Sequence, residues 1–118
     1  MRSNITTKIA KEIVDSYVIE SWRSDDGSSW YRLYSDGWIE QGGRYSNSST
    51  AGARTITFPI EFTTTNVYIN RNASGCGSPS NELARYWTGY TSKTATSFTY
   101  WGERVNYSST DDWYACGY

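Results

Sequence analysis

Histidine is absent from the 118 residues of this chain, and its absence excludes several kinds of site. Without an imidazole, no side chain is an ordinary general base near neutral pH. Serine–histidine and cysteine–histidine nucleophile pairs are excluded too, as are most zinc sites. The composition therefore argues against the commonest hydrolytic and zinc-dependent enzymes.

Cysteine and long apolar runs are also scarce. The two cysteines, Cys76 and Cys116, form no CxxC pair and so indicate no zinc framework. Their alternatives are a disulfide or two unpaired residues in the core or a loop. No apolar run approaches the roughly 20 residues that cross a bilayer, and the N-terminus lacks the apolar stretch of a signal peptide. We therefore expect no membrane insertion.

The chain also has no excess of charge of either sign. Eleven basic and twelve acidic residues give a formal net charge of −1, and the basic residues are scattered along the chain. This balance supplies no electrostatic reason to bind nucleic acid. We expect no nucleic-acid partner.

Aromatic residues are what the chain has in abundance. They make up 17% of it, with six Trp and eleven Tyr, while aliphatic side chains are sparse. The length corresponds to one domain. A core of this size must then be built largely from rings, whose hydroxyl and N–H groups need partners. This favours a thin sandwich that completes its interior against copies of itself.

The segment from Trp30 to Gly43 is the clearest local signal. Two runs of strand-forming residues flank Ser35-Asp36-Gly37, and an Asp-Gly step between such runs predicts a β-hairpin. Because residues alternate faces along a strand, Ile39 and Gln41 should share one face of the hairpin. The pair Gly42-Gly43 should end the second strand or allow a neighbour to approach closely.

Further strand-like segments indicate an all-β fold. Pro59 cannot donate to a ladder and should mark a strand end, an edge or a bulge. Seven or eight short strands with polar turns between them predict an antiparallel β-sandwich. The bends and loops are expected at Ser24–Ser28, Arg44–Gly52, Asn72–Ser80, Thr91–Lys93 and Gly102–Thr110. Besides the hairpin, the predicted strands are 17–23, 53–60, 66–71, 85–90, 94–101 and 111–118.

The N-terminal residues differ from the rest. Between Asn4 and Ser16, apolar residues recur at a spacing of three to four, which suits a short helix. So short a helix is marginal alone in water. We therefore divide the chain into a neck, 1–16, and a β-sandwich domain, 17–118. The neck either associates with its copies or forms a partly ordered leader or a helix lying on its own domain.

The hairpin sequence WYRLYSDGWIEQGG, followed by TITFPIEF and the final WYACGY, resembles the C-terminal receptor-binding domains of bacteriophage and prophage tail fibre proteins. The resemblance covers roughly residues 14–118. The stretch ITFPIEF…NVYIN is faintly similar to H-type lectins, which are trimeric sugar-binding β-sandwiches.

The resemblance implies a homotrimeric knob at the tip of a tail fibre. Such a knob would be part of the virion, made in the bacterial cytoplasm, and would recognise a bacterial surface glycan or an outer-membrane receptor. Residues 1–16 would then be the end of the stalk. Two alternatives stay open: a structural trimerisation tip that binds no ligand, and a small polysaccharide-degrading module.

Aromatic and polar residues of the second half are the candidate ligand-binding set. Rings stack on the apolar faces of sugars, while guanidinium, amide and carboxylate groups bond their hydroxyls. In a chain so poor in aliphatics, many of these rings should instead be core. The candidates are Arg85, Tyr86, Trp87, Tyr90, Trp101, Asn106, Tyr107 and Asp111, with Trp113 beside them.

Carboxylates do not indicate catalysis. Asp36 is explained by its turn, and Glu40, mid-strand among aromatics, should pair with Arg32 or Arg54 rather than act as an acid. Asp25-Asp26 and Asp111-Asp112 are typical of solvated turns, and neither pair matches an EF-hand spacing. We expect no enzyme activity, no catalytic residue, no metal and no cofactor.

Overall fold

The computed structural model describes residues 16–47, 52–72, 90–102 and 109–118. Strands and their connections make up these residues, which confirms the predicted all-β class. The strands are β1 (Val18–Arg23), β2 (Ser29–Tyr34), β3 (Ile39–Asn47), β4 (Gly52–Thr57), β5 (Tyr68–Asn72), β6 (Ser92–Lys93), β7 (Ser97–Gly102) and β8 (Ser109–Gly117).

Two antiparallel sheets form the sandwich. One has five strands in the order β1-β2-β3-β8-β5, and the other has three in the order β4-β7-β6. β3 and β8 are the longest pair and run from Ile39 opposite Gly117 to Asn47 opposite Ser109. The last strand, β8, therefore lies inside the larger sheet, between β3 and β5.

The core between the sheets is built mainly from rings. Alternation along β8 turns Trp113 and Ala115 inward, while Tyr114 and Cys116 face the other way. Phe58 contacts three other core rings at centroid distances of 5.0 to 5.8 Å. The buried cluster consists of Ile39, Phe58, Phe62, Val67, Phe98, Tyr100, Trp113 and Ala115.

The central hairpin is present with the predicted faces. Leu33 pairs with Ile39, and Ile39 and Gln41 are both buried. The turn differs in detail from an Asp-Gly turn with two positive φ angles, because only Gly37 has a positive φ, of 91°. The Gly37 N–H donates to the Tyr34 carbonyl over 2.9 Å. The Trp38 N–H donates to the Asp36 carboxylate, so Asp36 is a turn residue, as expected.

Gly42 and Gly43 allow two tryptophans to approach β3. A Cβ at Gly42 would lie 2.8 Å from the Trp113 carbonyl oxygen and 3.0 Å from the Trp30 ring. A Cβ at Gly43 would lie 2.8 Å from both the Trp113 indole nitrogen and the Ser28 carbonyl oxygen. Of the two expectations for this pair, close approach is therefore right, and the strand continues through it to Asn47.

Two predicted loop positions are corrected. Arg44 to Asn47 was expected in a loop but extends β3, since Arg44 pairs with Asp112 across the ladder. Ser92-Lys93 was expected in a bend but forms β6, and the turn lies three residues further on. The reason is Thr94, whose hydroxyl accepts the Ser97 N–H over 3.0 Å and so closes the turn. Pro59 follows the end of β4, as predicted.

Some expectations fall outside the described residues. These are the helix between Asn4 and Ser16, apart from its last residue, the strand residues 85–89, and Cys76. Cys116 is a half-buried free thiol whose pKa is raised by burial. In the part of the chain that is described, no helix is long and apolar enough to span a bilayer.

Candidate functional site

The strand ends that border three segments outside the described residues lie at the same end of the sandwich. Residues 48–51 connect β3 to β4, residues 73–89 follow β5, and residues 103–108 connect β7 to β8. The registers place the neighbouring strand ends together, with Asn47 opposite Ser109 and Gly52 opposite Gly102. We call this the loop end of the domain.

The N-terminal segment meets the domain at the opposite end. Val18 pairs with Tyr34, and the Ser35 N–H donates to the Tyr17 carbonyl over 2.7 Å beside the central turn. The last residue, Tyr118, is at this end as well, with its ring 5.1 Å from that of Trp38. We call this the neck end. The described part of the domain thus has a polarity, with Tyr17 at one end and the strand ends that border 48–51, 73–89 and 103–108 at the other.

A buried polar cluster supports the loop end. The Arg71 guanidinium donates to the Tyr45 hydroxyl over 3.0 Å, and that hydroxyl donates to the Asp111 carboxylate over 3.2 Å. Arg71 also lies 4.0 Å above the centroid of the Tyr100 ring. These residues come from β3, β5, β7 and β8, so the cluster ties together the strands that border all three segments.

The protonation states of this cluster favour a structural role. Burial raises the pKa of Tyr45 well above its ordinary value, although the nearby Arg71 lowers it. Burial also raises the pKa of Tyr100. Both phenols therefore stay neutral at physiological pH, and Tyr45 acts as a hydrogen-bond donor to Asp111. The hydrogen bonds of the cluster hold these strands together.

The predicted ligand-binding residues are only partly within the described structure. Trp101 and Tyr90 are exposed, at 49% and 40%, and lie next to the loop end. Asp111 is 1% exposed and belongs to the buried cluster, and Trp113 is core, so the fold favours structural roles for both. The remaining candidates, Arg85, Tyr86, Trp87, Asn106 and Tyr107, lie outside the described residues.

A cleft on the outer face of the larger sheet was missed by the sequence analysis. It has a volume of about 350 Å³ and lies between the β1–β2 turn, β3 and β8. A second cleft, of about 410 Å³, adjoins it along β1 and β2, and Trp30 lines both. The residues that line the first cleft include Asp26, Ser28, Trp30, Arg44, Asp112 and Trp113. Only the register of β1, β2, β3 and β8 brings these distant residues together.

The other carboxylates have local explanations. Glu40 accepts a hydrogen bond from the Tyr34 hydroxyl over 3.2 Å, which is a different partner from the expected Arg32. Arg32 instead lies 6.0 Å from the centroid of the Trp30 ring. Among the residues that the structure describes, no three acidic, cysteine or histidine side chains converge on a point that could hold a metal ion.

The family of the chain follows from a comparison with known proteins. Residues 32–118 match the family described as "Putative tail fiber protein gp53-like, C-terminal". The chain belongs to this family. It is thus a C-terminal tail fibre domain, as the hairpin motif indicated. None of the curated proteins matches the chain.

Solved structures of pyocin tail fibres share the fold. The N-truncated R2-type pyocin tail fiber is 23% identical with a TM-score of 0.63, and the alignment covers 92% of this chain and 41% of that one. The tail fibre domain thus spans less than half of that R2-type fragment. A longer C-terminal fragment of the R2 pyocin fiber of P. aeruginosa matches with the same score over 28% of its length. The N-truncated R1-type fiber is 18% identical, with a TM-score of 0.50 and coverage of 94% and 95%.

Proposed function

We propose that this domain is the trimeric tip of a tail fibre and that its loop end binds a carbohydrate on the surface of a bacterium. It acts by adhesion and performs no cleavage. The full fibre is part of a phage or pyocin-like particle, and the tip makes contact with the host.

The polarity of the domain is the observation that carries this proposal. A fibre tip must present its receptor-binding surface away from the stalk. Here the backbone of Tyr17 accepts a hydrogen bond from Ser35 at one end of the domain. The strand ends that border the three connecting segments lie at the other end. Loops on a rigid scaffold are where binding residues are usually placed. A stalk that continues residues 1–16 would therefore point the loop end outward.

The exposed strand β1 supports the trimer. All six residues of β1 are exposed, and β1 is an edge of the five-stranded sheet. Tyr17 and Ile19, at its neck end, are 54% and 56% exposed. An exposed apolar edge strand invites pairing with another chain, and proteins usually cover such an edge. Because β1 directly follows the neck, three necks running together would bring three β1 strands to their common axis.

The aromatic residues at the loop end support a carbohydrate ligand. Trp101 and Tyr90 expose ring surface there, and the segments beyond them carry further candidates, Trp87 and Tyr107 among them. Tyr and Trp combine an apolar ring with a hydrogen-bonding group, which suits the alternating faces and edges of sugars. Three copies on one axis would multiply a weak affinity through avidity.

Adsorption of the fluorescently labelled full chain to a panel of bacterial strains tests the proposal. We expect binding to some strains, loss of binding after periodate oxidation of the cell-surface glycans, and at least tenfold weaker binding for Trp101→Ala and Tyr107→Ala. Thr57→Ala, exposed on the smaller sheet away from the loop end, is the control. Adsorption to no strain, or adsorption unchanged by oxidation and by both loop-end variants, contradicts the proposal.

A further inference from the structure

The outer-face cleft lies on the half of the larger sheet that is nearer the loop end. Its three structural components are the β1–β2 turn, the β3 residues after the glycine pair, and the first half of β8. Arg44 stands opposite Asp112 in the β3–β8 ladder, one step from the buried Tyr45–Asp111 pair. The neck end, where Val18 pairs with Tyr34, is at the other end of the same sheet. The cleft is thus separated from the neck end by the length of β1.

Local sequence explains why a cleft forms here. The Trp30 ring lies over Gly42, where a side chain would leave no room for it, and its centroid is 6.2 Å from that of Tyr114 on the outer face. The Arg44 N–H donates to the Ser28 carbonyl over 2.7 Å, which fastens the β1–β2 turn to β3.

The acidic side of the cleft is fixed before any ligand arrives. The Asp26 Oδ1 atom accepts hydrogen bonds from the Ser28 N–H, the Ser28 hydroxyl and the Ser24 hydroxyl, at 2.9, 2.7 and 2.7 Å. These bonds lower the pKa of Asp26 to about 2, so the carboxylate is ionised at neutral pH. Since all three bonds end on Oδ1, the Oδ2 atom is available to accept a hydrogen bond from a ligand.

The basic side offers both donors and an acceptor. Arg44 and Asp112 form an exposed ion pair through Nε and Oδ1 at 2.9 Å. This single contact leaves the two terminal guanidinium nitrogens and the Asp112 Oδ2 atom for a ligand. The side chains are exposed, so the pair itself adds little stability and can exchange its partners readily.

These groups select one class of ligand. An aromatic wall, a guanidinium and two carboxylates together match a sugar ring, which has an apolar face and hydroxyls that both donate and accept. The volume of about 350 Å³ is at the lower end of the range for small-ligand sites. Two carboxylates against one guanidinium disfavour an anionic ligand, such as a uronic acid or a phosphate. The groups present therefore favour an uncharged sugar unit.

We propose that the cleft formed by Asp26, Trp30, Arg44 and Asp112 binds one uncharged sugar unit of a surface polysaccharide. This inference rests on the proposed function and adds to it a second contact, on the side of the knob.

The experiment uses the full chain and a strain to which it adsorbs. The probe is the surface polysaccharide purified from that strain, titrated by biolayer interferometry against immobilised protein. We expect at least tenfold weaker binding for Asp26→Asn and for Arg44→Gln. Asp25→Asn, which removes the same charge one residue away, is the matched control and should bind within twofold of the wild type. All three changes are at exposed positions, and melting temperatures verify folding.

The outcomes separate the two proposals. Weaker binding by either cleft variant, with the control unchanged, supports the cleft. Unchanged binding by both cleft variants overturns it, while loss of binding in Trp101→Ala would leave the loop-end proposal intact. Adsorption to cells without any binding of the purified polysaccharide also overturns the cleft. Adsorption to no strain would instead contradict the proposed function itself.

Discussion

The side-chain amide of Gln41 exchanges two hydrogen bonds with the backbone of Ile60. The amide nitrogen donates to the Ile60 carbonyl over 2.9 Å, and the Ile60 N–H donates to the amide oxygen over 3.0 Å. Gln41 is fully buried on β3, whereas Ile60 lies in the connection between β4 and β5. One polar side chain thus fastens that connection to the centre of the larger sheet.

Loss of the amide should therefore destabilise the domain. Gln41→Leu replaces the amide with an apolar side chain of similar size and leaves the N–H and C=O of Ile60 without these partners. We expect the free energy of unfolding, measured by urea denaturation, to fall by about 1–3 kcal/mol. The control is Glu40→Gln, next along β3 and facing outward, which should stay within about 1 kcal/mol of the wild type. Equal stability of Gln41→Leu and the control would contradict this role.

The glycine pair should tolerate no side chain. Gly42→Ala and Gly43→Ala each place a Cβ 2.8 Å from a backbone carbonyl oxygen, which requires β3 or its neighbours to shift. We expect each to lower the free energy of unfolding by about 1–3 kcal/mol. Gly52→Ala is the matched control because no heavy atom lies within 4 Å of its Cβ position. Its stability should equal or slightly exceed that of the wild type.

Two adjacent aspartates should differ sharply in their contribution to stability. Asp111→Asn removes the carboxylate charge that faces the buried Arg71, at 3.9 Å, and we expect a loss of about 3 kcal/mol. Asp112→Asn weakens an exposed ion pair with Arg44 and should cost no more than about 1 kcal/mol. Urea denaturation of both variants measures the difference. Similar losses for the two would show that the buried cluster does not depend on the charge of Asp111.

The turn around Asp26 should make stability depend on pH in the acidic range. Hydrogen bonds from Ser28 and Ser24 hold the pKa of Asp26 at about 2 in the folded state, below the ordinary 3.8. A depressed folded-state pKa contributes stability that is present above about pH 4 and is lost as the pH falls toward 2. The wild type should thus melt at a higher temperature than Asp26→Asn at pH 6, and this difference should vanish near pH 2. Asp25→Asn is the control. A difference in melting temperature between the wild type and Asp26→Asn that stays constant with pH would contradict the account.

The edge strand β1 should hold the copies together. Ile19→Lys places a charge on the exposed apolar part of β1, and we expect the molar mass from multi-angle light scattering to fall from that of three chains to that of one. Thr57→Lys introduces the same charge on the smaller sheet and should leave the trimer unchanged. A wild-type protein that is monomeric at micromolar concentration would contradict the trimer.

Local sequence predicted the elements whose signals lie within a few residues. The Ser35–Gly37 turn, the shared face of Ile39 and Gln41, and a strand end at Pro59 as one of three alternatives were predicted, because strand alternation and turn chemistry are local properties. The predicted bounds of an element were wrong where its pairing partner is distant along the chain. The continuation of β3 through Arg44 depends on Asp112, which is close only once β8 lies beside β3.

The features of the candidate site also divide into those that the sequence predicted and those that only the tertiary structure decided. The abundance of rings and the absence of histidine were enough to predict a ring-built, all-β domain and to argue against the commonest hydrolytic chemistry, since both depend only on which side chains are present. The sequence analysis named Tyr90, Trp101 and Asp111 alike as ligand-binding candidates. It did not distinguish the two exposed rings from the buried Asp111, because exposure is decided by the sheet that packs opposite. The polarity of the domain and the cleft of Asp26, Trp30, Arg44 and Asp112 were decided by tertiary structure alone. Their parts are far apart along the chain, and only the antiparallel register of β1, β2, β3 and β8 brings them within reach of one ligand.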